Sequence, residues 1–164
     1  MAIAEVEIVR RGPFANGKDF GDVGPYQLLE GMAHFAVDPL NPCNQAITDI
    51  ELAQRDSDGK VRFSADFAML QPVDPDRGRH RIFFDVVNRG RKTVLAGFNS
   101  VTGGQDPSSP LEPGNGHLMR HGYTVVWCGW QADVPPTPGL MGLAAPEAIG
   151  PDGARLEGRI MCWF

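Results

Sequence analysis

The sequence predicts an α/β fold: a mixed β-sheet with antiparallel N-terminal strands and a later parallel pair. Three observations predict it. RIFFDVV at 81–87 and YTVVWCGW at 123–130 are apolar on both faces save for Asp85, the pattern of strands covered on both sides. The segment between them is long enough for a crossover, and a parallel return needs about a dozen residues or more. Upstream, VRFSADFAML alternates apolar Val61, Phe63, Ala65, Phe67 and Met69 with Arg62, Ser64, Asp66 and Ala68. Period two over such a run predicts a half-buried antiparallel strand.

Taken in order, residues 2–11 read as a first strand, with Ile3, Val6 and Ile8 its apolar members. A turn-rich stretch, GPFANGKDFGDVGPY, follows. Residues 28–38 read as a second strand and 46–54 as a third. RDSDGK then supplies an Asp-Gly hairpin signal ahead of the alternating strand. PVDPDRGRH is a polar turn before the first buried strand. GNGHLMRHG reads as a short helix stopped by Gly122. The second buried strand leads into residues 131–153, a Pro- and Gly-rich loop at the carboxyl end of a central strand, where open α/β sheets place their ligands. LEGRIMCWF reads as a last strand. Residues 1–72 thus make an antiparallel N-terminal region and 80–164 a second region, within one structural domain.

Composition sets outer bounds. The chain has 164 residues with Gly 20 and Pro 14, which favours turns over long helices. A net charge of -5 argues against nucleic acid, which requires a basic surface. The three widely spaced cysteines, Cys43, Cys128 and Cys162, fit neither a disulfide framework nor a zinc site. No signal peptide or apolar run of membrane-spanning length is visible, so the default expectation is a cytoplasmic protein without a membrane partner. No pattern calls for a cofactor.

FGDVGPYQLLEGMAHFAVDP, FDVVNRGRK and GNGHLMRHGYTVVWCGWQADVPP together resemble the N-terminal part of the bacterial α/β hydrolase domain proteins, over roughly residues 3–164. The resemblance implies an α/β-hydrolase-like parallel core, incomplete in this chain and beginning near residue 80. It also implies full-length relatives that are serine ester hydrolases acting on small ester-like molecules. The nucleophile elbow of that fold needs G-x-S-x-G on a strand-to-helix turn. Ser57, Ser64, Ser100, Ser108 and Ser109 all lack this context, and no His follows His121. The chain alone therefore lacks its triad and is expected to be inactive. The alternative is a noncatalytic ligand-binding or interaction module. An incomplete sheet is expected to self-associate through its open edges.

Candidate residues follow the two buried strands. Asn88, Arg89, Gly90 and Arg91 form a loop whose N–H groups can face an oxyanion, or whose arginines can hold a carboxylate; the alternative is a solvated turn. Gln131 and Asp133 are candidates for a pocket mouth, against an ordinary exit loop. His117 and His121 share a helix face, but no third metal ligand accompanies them. Asp85, inside an apolar strand, needs a partner; it reads as a structural ion pair or backbone cap, against the alternative of a catalytic acid. Leu140, Met141 and Leu143 either close a lid over a pocket or cover the sheet.

Overall fold

A computed structural model describes residues 2–102 and 106–158. Six strands form one sheet: β1 (Ala2–Pro13), β2 (Tyr26–Val37), β3 (Val61–Pro72), β4 (Arg81–Val86), β5 (Tyr123–Cys128) and β6 (Leu143–Ala144). The order is β1-β2-β3-β5-β4, and the short β6 pairs β3 beyond the end of β5. Two short helices, α1 (Val94–Phe98) and α2 (His117–Arg120), lie in the crossover from β4 to β5. No described helix is long and apolar enough to cross a membrane.

β4 and β5 run parallel in register, with Phe84 beside Val126 and Asp85 beside Trp127, as the two apolar runs predict. Every other ladder among the described residues is antiparallel. The expected α/β fold with a parallel α/β-hydrolase-like core is therefore corrected. One parallel ladder closes an otherwise antiparallel sheet, and two helices of about one turn each do not form a helical layer. The protein is mainly β. The sequence signal was sound for the pair, but the apolar runs said nothing about how few parallel strands accompany it.

Directly paired residues share a face and neighbours along a strand alternate, so the register sorts the sheet into two faces. The helical face carries Tyr26 and Leu28 of β2, Ala68 and Leu70 of β3, Phe83 and Asp85 of β4, and Val125 and Trp127 of β5. These pack with Phe14, Phe20, Val94, Leu95, Leu118 and Met119 into the main core. The wholly buried Tyr26 hydroxyl lies 3.1 Å from the carbonyl oxygens of both Met119 and Tyr123, tying α2 and β5 to β2. Gly122, at φ 70°, stops α2 as its sequence position predicts.

The opposite face is capped at one end, and Leu29, Ala33 and Ala65 farther along it are buried as well, while the side chains toward β4 and β1 are exposed. At the capped end Val37 and Val61 pack beneath Ile50 and Ala53. This explains the failure of the strand expected at 46–54. That segment is a 3-10 turn, Ile50–Leu52, entered through Asp49 at φ 57°, a left-handed backbone that no strand contains. Ile50 and Ala53 pack over the sheet face instead of joining its strand ladders. The Asp-Gly turn at 58–59 forms, with Asp56 accepting from the N–H groups of Asp58 and Lys60, but it leads from this cap into β3 and closes no hairpin.

Two further expectations change. β3 is antiparallel as predicted, yet it buries Val61 and Ala65 on one face and Ala68 and Leu70 on the other. A strand flanked on both sides and covered on opposite faces at its two ends does not keep a single solvent face. β4 is not central and fully buried; it is an edge strand, and Ile82, Phe84 and Val86 are 69%, 53% and 61% exposed. The strand expected at 156–164 lies largely outside the described residues, as does Trp163.

Candidate functional site: the junction beyond β4 and β5

Parallel strands deliver their following loops to the same end of the sheet. The turn after β4 and the loop after β5 meet there. Asn88 and Arg91 bond to each other through their backbone groups, 3.0 and 3.3 Å, across Arg89 at φ 51° and Gly90 at φ 80°. Two successive positive φ angles are what a type I′ turn requires. Glycine accepts such a φ without cost and a Cβ at Gly90 would also sit 2.8 Å from Val134 and 2.9 Å from the Met141 nitrogen, so the sequence has no alternative there.

The six sequence-predicted site residues converge on this turn. The Arg89 N–H donates to Gln131 Oε1 at 2.8 Å, and its guanidinium donates to Asp133 Oδ2 at 2.6 Å and to the Asp133 carbonyl at 3.3 Å. The Arg89 hydrogen bond, ahead of any other influence, holds the Asp133 carboxyl below the ordinary carboxylate range. Three of the turn's polar groups, the N–H groups of Asn88, Arg89 and Arg91, are thus committed to partners inside the chain. The arrangement works as a latch between loops. The Arg91 side chain is not part of it among the described contacts.

The Pro-rich loop is stitched down by Met141, which the sequence offered as lid or sheet cover, and by Asp66, Trp130 and Lys92. Met141 donates its N–H to the Gly90 carbonyl and is itself buried in the main core, so it covers the sheet. Asp66 accepts from the Gly142 N–H at 2.7 Å, and its own backbone groups pair with Gly142 and Gly129. Trp130 donates to the Val87 carbonyl at 2.6 Å while half its surface stays exposed. Lys92 reaches under the loop toward the Gly139 carbonyl, 3.4 Å away; burial pushes its ammonium below the ordinary lysine value, and the charges of Glu30 and Asp66 pull it back. The alternation put Asp66 on the solvent side of a half-buried strand and gave no hint of these contacts. Contacts to residues about seventy positions downstream leave no local signature.

An open cleft of about 500 Å³ lies beside the latch, lined by Ala132, residues 143–148, Arg155 and Leu156. Leu143 borders it, while Met141 does not.

The remaining candidates separate. Asp85 is a backbone cap: Oδ2 accepts from the N–H groups of Thr93 and Val94, each at 2.9 Å, and from Trp127 Nε1 at 2.7 Å. His117 and His121 lie side by side with ring centres 4.5 Å apart, and no group of three metal-ligating side chains occurs among the described residues. The structure also places Ser64 opposite His34, whose ring is 3.4 Å from Glu7. The strand register alone assembles this trio. No hydrogen bond joins Ser64 to His34 among the described residues, so the group lacks the nucleophile–base contact that catalysis requires.

No family model, curated protein or solved structure matches the chain. The hydrolase reading taken from the sequence resemblance therefore has no family match behind it, and the mainly antiparallel sheet removes the α/β-hydrolase fold on which it relied.

Proposed function

We infer that this chain is a noncatalytic interaction module. The observation that carries the reading is the sheet face opposite the helices. Ile82, Phe84 and Val86 of β4 are exposed there, beside Val126 and Cys128 of β5 and Phe67 and Met69 of β3. Exposed Ile3, Val6 and Ile8 of β1 extend the same face at the far side. Soluble monomers rarely leave a contiguous apolar patch above a few hundred Å² in water, and larger ones mark interaction surfaces.

The latch supports the noncatalytic half of the reading. Three of the turn's four backbone donors, the N–H groups of Asn88, Arg89 and Arg91, are already given to Arg91, Gln131 and Asn88. Arg89 is held by Asp133 and is not held out to a ligand. In this view Asn88, Arg89, Gly90, Gln131 and Asp133 keep the loops in place so that β4 and β5 stay aligned and present their apolar side chains. The free thiols Cys43 and Cys128 suit a reducing compartment, and we place the protein in the cytoplasm on that ground.

The test has two parts. The purified chain is offered short p-nitrophenyl esters and a fluorophosphonate probe; the expected result is no turnover and no labelled serine. Its bare face is then probed with the dye ANS, whose fluorescence is expected to rise if the face is open and to stay flat if it is occupied. Labelling of any serine overturns the noncatalytic reading.

A further inference from the structure

We propose that the bare apolar face docks against the same face of a second copy of this chain, giving a two-fold stacked dimer. The proposal rests on the interaction reading above and names the occupant. Three features single out a second copy.

The first is charge. Paired residues place Glu5, Glu7, Arg10, Glu30, Arg62, Asp66, Arg81 and Asp85 on the helical face of the sheet, leaving Arg11 as the one charged strand residue on the bare face. A two-fold interface sets the patch against itself, so a charge in it finds an opposite partner only if the same patch supplies one. A face nearly free of charge meets that demand, and the acidic residues of a chain at -5 stay on the outside of the pair.

The second is area. Five strands about 4.8 Å apart, each offering about six residues at roughly 3.3 Å, present roughly 500 Å². Two such faces together reach the roughly 1,000 Å² that a specific interface needs.

The third is shape. The face is a sheet, and sheets stack on sheets about 10 Å apart with interleaved side chains. Phe35 and Phe63 are already stacked on it with ring centres 4.8 Å apart, and side chains standing up from a sheet in this way suit interdigitation with a second sheet.

Pairing through the free edge of β4 is the competing geometry. It satisfies backbone groups that water already satisfies and leaves Ile82, Phe84 and Val86 exposed. Stacking covers them.

The experiment is light scattering on the full chain across a micromolar concentration series. The expected mass is twice 17.8 kDa. Phe84→Asp on β4 and Val6→Asp on β1 lie at opposite sides of the same face, and each is expected to return the chain to 17.8 kDa with an unchanged circular dichroism spectrum. If Phe84→Asp does not fold, Ile82→Lys at the exposed start of β4 replaces it. A dimer that survives Val6→Asp overturns the proposal in favour of edge pairing. Open-ended larger assemblies overturn it too, because a stacked pair closes on itself. A monomeric wild-type chain that binds ANS overturns the second-copy occupant and leaves the interaction reading standing. A monomer that binds no dye removes both.

Discussion

Trp127 donates its indole N–H to Asp85 Oδ2 at 2.7 Å across the parallel ladder, and the same oxygen accepts the N–H groups of Thr93 and Val94. One carboxylate therefore ties β4, β5 and the start of α1. Trp127 has no exposed surface and Val94 and Asp85 very little, so the indole and the Val94 N–H have no water as an alternative, whereas Thr93 is exposed. Asp85→Ala is expected to lower stability by about 3 kcal/mol, because a buried donor left without a partner costs about 1–3 kcal/mol. Asp85→Asn, which keeps an acceptor oxygen, is expected to lose less. Urea denaturation followed by tryptophan fluorescence measures both, and equal losses would show that the carboxylate's extra acceptor is unimportant.

Gly90→Ala strains the turn at φ 80° and pushes a methyl toward Val134 and Met141. A loss of about 1–3 kcal/mol is expected from the backbone conformation alone. Because Met141 donates to the Gly90 carbonyl, its amide hydrogen should exchange faster in the variant, while the Val125 amide deep in β5 should be little changed. Uniform acceleration of both would mean that the loop is not anchored at this point.

The Arg89–Asp133 latch makes a pH prediction. The folded carboxyl titrates below its unfolded value, so its contribution is present above about pH 4, the unfolded aspartate value, and is lost as pH falls through the depressed folded value. Both side chains are largely exposed, so salt screens the pair and the effect on global stability is small. An NMR titration of the Asp133 carboxyl carbon is expected to show a midpoint below the ordinary range, returning to that range in Arg89→Ala. A midpoint unaffected by Arg89→Ala contradicts the latch.

Much of this was legible before any coordinates. The positions of β1 and β2, the alternation of β3 and the parallel pairing of β4 with β5 all follow from local pattern. The junction residues were legible as well, because parallel strands must bring their following loops together. The number of parallel strands was not, since a doubly apolar run looks the same whether its neighbours exist or not. Ile82, Phe84 and Val86 read as buried and are exposed. The cap at Ile50 read as a strand because apolar spacing is blind to the left-handed residue at Asp49. Asp66, Lys92 and Trp130 act through contacts distant in sequence and carried no motif.

Cysteine reactivity provides a further check on the bare face. Cys43 is exposed, whereas burial, with the Asp66 charge second, raises the Cys128 thiol above its ordinary value. At pH 8 Cys43 is expected to alkylate at least about tenfold faster, since the thiolate is the reacting form. Peptide mapping after iodoacetamide treatment gives both rates. Cys128 lies on the bare face beside Val86, so Phe84→Asp is expected to speed its reaction if a second copy covers it. No change would mean that the face around β5 is not covered in solution.

The place of β5 between an antiparallel and a parallel neighbour defines both the junction and the bare face. Interstrand backbone NOEs on the isotopically labelled chain test it directly. Val126 is predicted to show contacts to the Met69 region of β3 in antiparallel register and to the Phe84 region of β4 in parallel register. Contacts from β5 to β4 in antiparallel register, or none at all, would contradict the architecture from which the rest follows.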